Sequence, residues 1–107
     1  MANGKCAVIG DRDSILIFKA VGIEVYPESD GEHANFTMHK LGRAGYAVIY
    51  VTESMYPLCA EAIAEFAGEH YPAIIPIPDA LGAKGIGIQA LKENVEKAVG
   101  VDILSNS

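Results

Sequence analysis

The stretch Ala44-Gly45-Tyr46-Ala47-Val48-Ile49-Tyr50-Val51-Thr52 decides the fold. From Tyr46 to Val51 no charge breaks the run, and β-branched and aromatic side chains dominate it, the types that suit a pleated and buried surface. A strand without polar alternation is wet on neither face, and such strands belong to parallel sheets covered by helices above and below. Gly45 is expected to open the strand and Thr52 to end it, so that Glu53-Ser54 begins a helix at its carboxyl end.

Upstream of this strand, Asp30 precedes a helical stretch reaching Leu41, with Glu32 and His33 in its first turn and Lys40 in its last, as the helix dipole favours. Ala34, Met38 and Leu41 form its inward stripe. His33 and His39 fall on different faces of this helix, which argues against joint metal ligation and reads as solvated surface. Ile23-Glu24-Val25-Tyr26 alternates apolar and acidic side chains, the pattern of a strand nearer the sheet edge, and Pro27 ends it. Before it, Asp13 or Ser14 can cap a helix over 13–21 that buries Ile17, Val21 and either Phe18 or Leu16 and stops at Gly22. Lys5-Cys6-Ala7-Val8-Ile9 is the first strand, with Cys6 read as a small buried hydrophobe.

Downstream, the helical period returns over 54–67, with Met55, Cys59, Ala62, Ile63 and Phe66 facing the sheet and Pro57 tolerated in the first turn. Glu61 and Glu65 lie one turn apart on the wet side as exposed helix charge, since nothing in the sequence joins them as a metal ligand. Ala73–Ile77 is the last strand, and Pro76 and Pro78 each remove a backbone donor, so it is an edge strand or ends early. The glycine-rich segment 78–87 then reads as a loop for contact with a partner. Ile88, Leu91, Val95 and Val99 recur at helical spacing over 88–99, with the pairs Lys92/Glu96 and Glu93/Lys97 on the other faces.

Strand and helix thus alternate four times, over 5–9, 13–21, 23–26, 30–41, 45–51, 54–67, 73–77 and 88–99. The expected fold class is α/β: a small open four-stranded parallel sheet in a Rossmann-like or receiver-like three-layer sandwich, order 2-1-3-4, with a carboxyl-terminal amphipathic helix. Residues 1–78 form the core; residues 79–107, the glycine-rich loop, last helix and tail, stand apart as a second unit or complete the same domain. Ligands of such folds gather at the carboxyl ends of the central strands, here Gly10–Asp13 and Thr52–Ser54.

Composition narrows the partners. Eight basic against fourteen acidic side chains give a net charge of −6 over 107 residues, so a nucleic acid backbone would be repelled over most of the surface. The two cysteines, Cys6 and Cys59, have no metal spacing and fit a reduced cytosolic setting. Without a basic-plus-apolar leader or an apolar run of roughly 20 residues, neither secretion nor direct membrane insertion is expected.

Catalytic patterns fail on inspection. A phospho-accepting receiver needs an acidic pair after the first strand, for which Asp11 and Asp13 would serve, and an aspartate at the end of the third, where Thr52 stands instead. Ser54 lies in no Gly-x-Ser-x-Gly elbow, and the glycines of 82–87 match neither phosphate-binding spacing. No catalytic residue, cofactor or metal ligand is therefore assigned.

The pieces Ala7-Val8-Ile9-Gly10-Asp11-Arg12-Asp13, Phe18–Ile23, Val48–Glu53, Pro72–Pro78 and Lys97-Ala98-Val99-Gly100-Val101-Asp102-Ile103 resemble, in order and at matching spacing, the F subunit of the V-type and archaeal A-type rotary ATPases. Tyr56-Pro57 departs from that pattern at the start of a helix. The resemblance implies a small non-catalytic protein of the central stalk, bound to the coiled-coil D subunit and only indirectly or transiently to the A and B subunits of the ring. It also implies a cytoplasmic location, peripheral to the membrane through the complex, and a role in supporting or modulating the coupling of ATP turnover to ion translocation. With it, the partner surface is expected on Ile88, Leu91, Lys92, Val95, Glu96, Lys97 and Val99 and on the tail residues Val101, Ile103 and Leu104. The rival expectation is a receiver-like or small-ligand-binding regulatory domain, with its pocket at Gly10–Asp13 and Thr52–Ser54.

Overall fold

The computed structural model describes residues 4–79. The strands β1 (Cys6–Gly10), β2 (Glu24–Pro27), β3 (Val48–Thr52) and β4 (Ala73–Ile77) form one sheet in the order β2-β1-β3-β4. Every pairing is parallel, with Cys6 opposite Val48, Ala7 opposite Glu24 and Val48 opposite Ala73. This is the expected architecture and strand order, with Val8 and Val48 in the two central strands. The last helix, over 88–99, and the tail lie outside the described residues.

The connections are α1 (Arg12–Ile15) continued by a 3-10 segment over Leu16–Val21, α2 (Gly31–Arg43), and a 3-10 turn over Tyr56–Cys59 leading into α3 (Ala60–Phe66). The chain steps outward in one direction from β1 to β2 and in the other from β3 to β4, so crossovers of one hand put α1 on one face and α2 and α3 on the opposite face. Alternation along the strands then divides the core. Ala7, Ile9, Ile49 and Val51 pack with Ala34, Met38 and Leu41 of α2 and with Met55, Cys59 and Ala62. Val8, Val48 and Tyr50 pack with Ile15, Phe18, Ile23 and Ile77 on the other side, where the Phe18 and Tyr50 rings lie 6.3 Å apart. β3 is buried at every position, as its unbroken apolar run requires.

Several local expectations are corrected. β3 begins at Val48, because Tyr46 N–H still closes on Leu41 C=O at 3.3 Å and only Ala47 N–H reaches the first strand's side of the sheet, at Lys5 C=O, 2.9 Å away. The cap of α1 is Asp11, in extended geometry, whose carboxylate accepts from Ser14 N–H at 3.2 Å; Asp13 lies in the first turn and Ser14 is buried. The first helix winds as α only to Ile15 and then tightens to 3-10, a form used in short connectors and here built from Leu16, Ile17 and Phe18; Phe18 is buried and Leu16 is 46% exposed. Ile17 and Val21 are only half-buried. Cys6 is half-buried too, since it opens β1 on the sheet's amino edge. The Pro57 region also winds as 3-10 before α3 begins at Ala60.

Candidate functional site

The carboxyl edge of the sheet is where a fold of this topology places a ligand, between β1 and β3, whose chains leave in opposite directions. Gly10 ends β1 and Thr52 ends β3. A Cβ on Gly10 would stand 2.4 Å from Thr52 Cγ2, 2.9 Å from Thr52 Oγ1 and 3.0 Å from Ile15 Cγ2. The space freed by the glycine is therefore filled by the Thr52 side chain. Thr52 is fully buried, and its Oγ1 has no hydrogen-bond partner among the described residues.

The surrounding polar groups are engaged in holding the chain. Gly10 C=O accepts from Glu28 N–H at 2.8 Å, and Glu53 N–H donates to Ile77 C=O at 2.8 Å. Ser54 donates its N–H to Asp79 Oδ1 at 3.0 Å and its hydroxyl to Asp79 Oδ2. A serine so engaged is a tether for the segment leaving β4. Asp11 acts as a cap, and among the described residues no three His, Cys, Asp or Glu side chains converge to hold a metal ion.

Other titratable groups point the same way. Burial raises the Cys6 thiol pKa, and burial, with the Glu28 charge adding to it, pushes Cys59 up to about 11, so both favour the protonated, unreactive form at neutral pH. Glu24 accepts from Tyr46 Oη at 2.8 Å and Tyr26 Oη at 2.9 Å, tying β2 to the start of β3. His39 is not simply solvated as the sequence suggested: its Nδ1 meets Glu65 Oε1 across the α2–α3 contact, where Arg43 Nε donates to Glu65 Oε2 at 2.9 Å. His33 is exposed beside Asp30, 3.1 Å away. The Asp79 and Glu65 tethers had no signal in the sequence, because their partners lie 22 to 26 residues away on other elements.

The residues expected to bind a partner, Ile88, Leu91, Lys92, Val95, Glu96, Lys97, Val99, Val101, Ile103 and Leu104, lie outside the described residues. No described helix is long and apolar enough to cross a membrane.

Comparison with known proteins supplies what the corner does not. A family model for the ATP synthase (F/14-kDa) subunit matches residues 6–95. The chain belongs to that family. It is 48% identical over 100 residues to the F subunit of the V-type ATP synthase of Clostridium perfringens, covering 94% of this chain and 95% of that protein. The corresponding protein of Fusobacterium nucleatum is 39% identical over 100 residues, at 94% and 95% coverage. The F subunit of the A-type ATP synthase of Methanothermobacter thermautotrophicus is 32% identical over 104 residues, at 95% and 98% coverage. As a member of this family, the chain is a non-catalytic part of a rotary ATPase. The filled carboxyl edge fits that role, because Thr52 occupies the place where a receiver would carry its phospho-acceptor.

Proposed function

We propose that this chain is a rotor component of the central stalk of a V/A-type rotary ATPase, bound along the coiled-coil D subunit and peripheral to the membrane on the cytoplasmic side. The observation that carries the reading is family membership spanning residues 6–95, which includes most of the helix assigned to the partner surface. Residues 1–78 act as the folded platform and 79–107 as the part that reaches the partner. On the last helix, Ile88, Leu91, Val95 and Val99 form one apolar stripe, and Val101, Ile103 and Leu104 add more apolar surface than a helix of that length needs to cover a sheet. Lys92, Glu96 and Lys97 flank the stripe, where rim charge sets orientation more than affinity. Bound in this way, the protein stiffens the axle and modulates ATP hydrolysis, and it meets the A and B subunits only as the rotor turns.

The test is co-purification with the coiled-coil stalk protein, followed by deletion of residues 101–107. The deletion is expected to leave the circular dichroism nearly unchanged and to weaken capture of the coiled coil more than about tenfold, or 1.4 kcal/mol. A truncated protein that binds with unaltered affinity, or that unfolds, refutes the assignment of the tail as partner surface.

A further inference from the structure

Strands β2 and β4 are the two edges of the sheet formed by the described residues, and each carries an exposed proline, Pro27 and Pro76. The hydrogen bonds at the strand ends fix which way these prolines face, because successive residues of a strand turn their N–H and C=O groups alternately to one side and the other. Ala73 N–H donates to Ala47 C=O at 2.9 Å, and Ile77 C=O accepts from Glu53 N–H at 2.8 Å, so Ala73, Ile75 and Ile77 face β3. Ile74 and Pro76 therefore face outward. On β2, Glu28 N–H donates to Gly10 C=O at 2.8 Å, which turns Glu24, Tyr26 and Glu28 toward β1 and leaves Val25 and Pro27 outward. Both prolines thus stand where the sheet loses no bond by their missing N–H, and where an N–H would be offered to an incoming strand.

The two edges differ in what else protects them. From Tyr71 to Pro78 the chain has no charged side chain, and isoleucine holds three of the five positions of β4. An apolar, uncharged, β-branched segment of this kind pairs with its own copies when its edge is open, and a proline at an outward position breaks that tendency. β2 is instead bracketed by Glu24 and Glu28, whose charge repels the strand of a second copy. Charge supports Pro27 on β2, whereas β4 relies on Pro76.

We propose that Pro76, and to a lesser degree Pro27, closes the sheet to strand addition, so that neither β4 of a second copy nor an extended apolar peptide can lengthen it. Each proline acts by removing a donor from an outward position, which interrupts the ladder that an added strand needs. Within β4 the outward N–H that remains is that of Ile74, and within β2 that of Val25. The inference stands on the sheet alone and is independent of the rotor function proposed above.

The experiment is sedimentation velocity of the full chain over a concentration series, at an ionic strength of about 0.15 M so that the net charge of −6 is screened. Pro76→Ala restores the N–H and is expected to lower the concentration at which the chain self-associates at least tenfold. Pro27→Ala, between Glu24 and Glu28, is expected to lower it less. Pro76→N-methylalanine, made by ligation, again lacks the N–H and is expected to behave as the wild type, as is the control Pro57→Ala in the 3-10 turn before α3. A Pro76→Ala protein that associates no more than the wild type, or an N-methylalanine or Pro57→Ala variant that associates as strongly as Pro76→Ala, overturns the proposal. Amide hydrogen exchange of the wild type tests the geometry whether or not the variants fold. Ile74 and Val25 are expected to exchange fast and their neighbours Ile75 and Tyr26 slowly; an Ile74 amide as protected as that of Ile75 means a covered edge and overturns the proposal as well.

Discussion

Gly10 and Thr52 interlock across the two central strands: the threonine methyl lies 2.4 Å from where a Cβ on the glycine would be. The neighbouring positions Ile9 and Val51 are paired in register, so the contact is set by the sheet itself and cannot be relieved by a loop. The carboxyl edge is thus a packed joint at the position where related architectures keep a ligand site.

Adding the missing carbon should be costly. Gly10→Ala is expected to destabilise the fold by about 1–3 kcal/mol, the usual range for overpacking a core. Thr52→Ser removes the nearest methyl, so in the double variant part of that loss should return. Denaturant unfolding of the four proteins in a double-mutant cycle measures the coupling, and additive effects would refute the interlock.

The Thr52 hydroxyl is buried with no partner among the described residues, and such a group forfeits its hydration without recovering a hydrogen bond. Thr52→Val keeps the shape and removes the polar atom. It is expected to raise stability by about 1 kcal/mol, within the range for an unsatisfied buried group. A drop in the denaturation midpoint would mean that Oγ1 is solvated or bonded.

Asp11 and Asp13 should separate cleanly. Asp11 caps α1 through Ser14 N–H, so Asp11→Ala is expected to cost about 0.5–2 kcal/mol, whereas Asp13→Ala, which removes no cap, should cost less. Neither aspartate should be labelled by acetyl phosphate, and mass spectrometry of the treated chain checks this. Stoichiometric labelling at either position would revive receiver chemistry.

The Glu65 carboxylate has its pKa lowered first by the Arg43 hydrogen bonds and then by His39, against some opposition from burial. A group with a depressed folded pKa contributes stability that is present above its unfolded value and is lost as pH falls through the folded one. The wild type should therefore lose part of the α2–α3 tether as pH drops below the ordinary value of 4.5. Glu65→Gln should flatten that part of the acid limb, and thermal melts across the acid range, about pH 3–6, compare the two. Parallel acid limbs would show that the contact adds nothing.

Local pattern settled much of this protein. The charge-free run ending at Val51 could only be a strand buried on both faces, and that, with helical period on either side, led to a parallel sheet with β1 and β3 inside. Pro76 and Pro78 pointed to a β4 that lies at an edge or ends early, and the sheet has it at the edge, where a proline nitrogen is not asked to donate to a second neighbour. Periodicity also picked out Ala34, Met38 and Leu41 as the buried stripe of α2. These features follow from side-chain spacing and backbone chemistry, which are properties of neighbours in sequence.

What only the tertiary structure decided are contacts between groups far apart along the chain. Whether Gly10 opened a cradle or received Thr52 depended on strand register, and register is a property of the assembled sheet. His39 and Arg43 converge on Glu65 because α2 and α3 pack side by side, and Ser54 finds Asp79 because β3 and β4 end together. No spacing along the sequence encodes these meetings; they depend on the packing distance and relative orientation of whole elements.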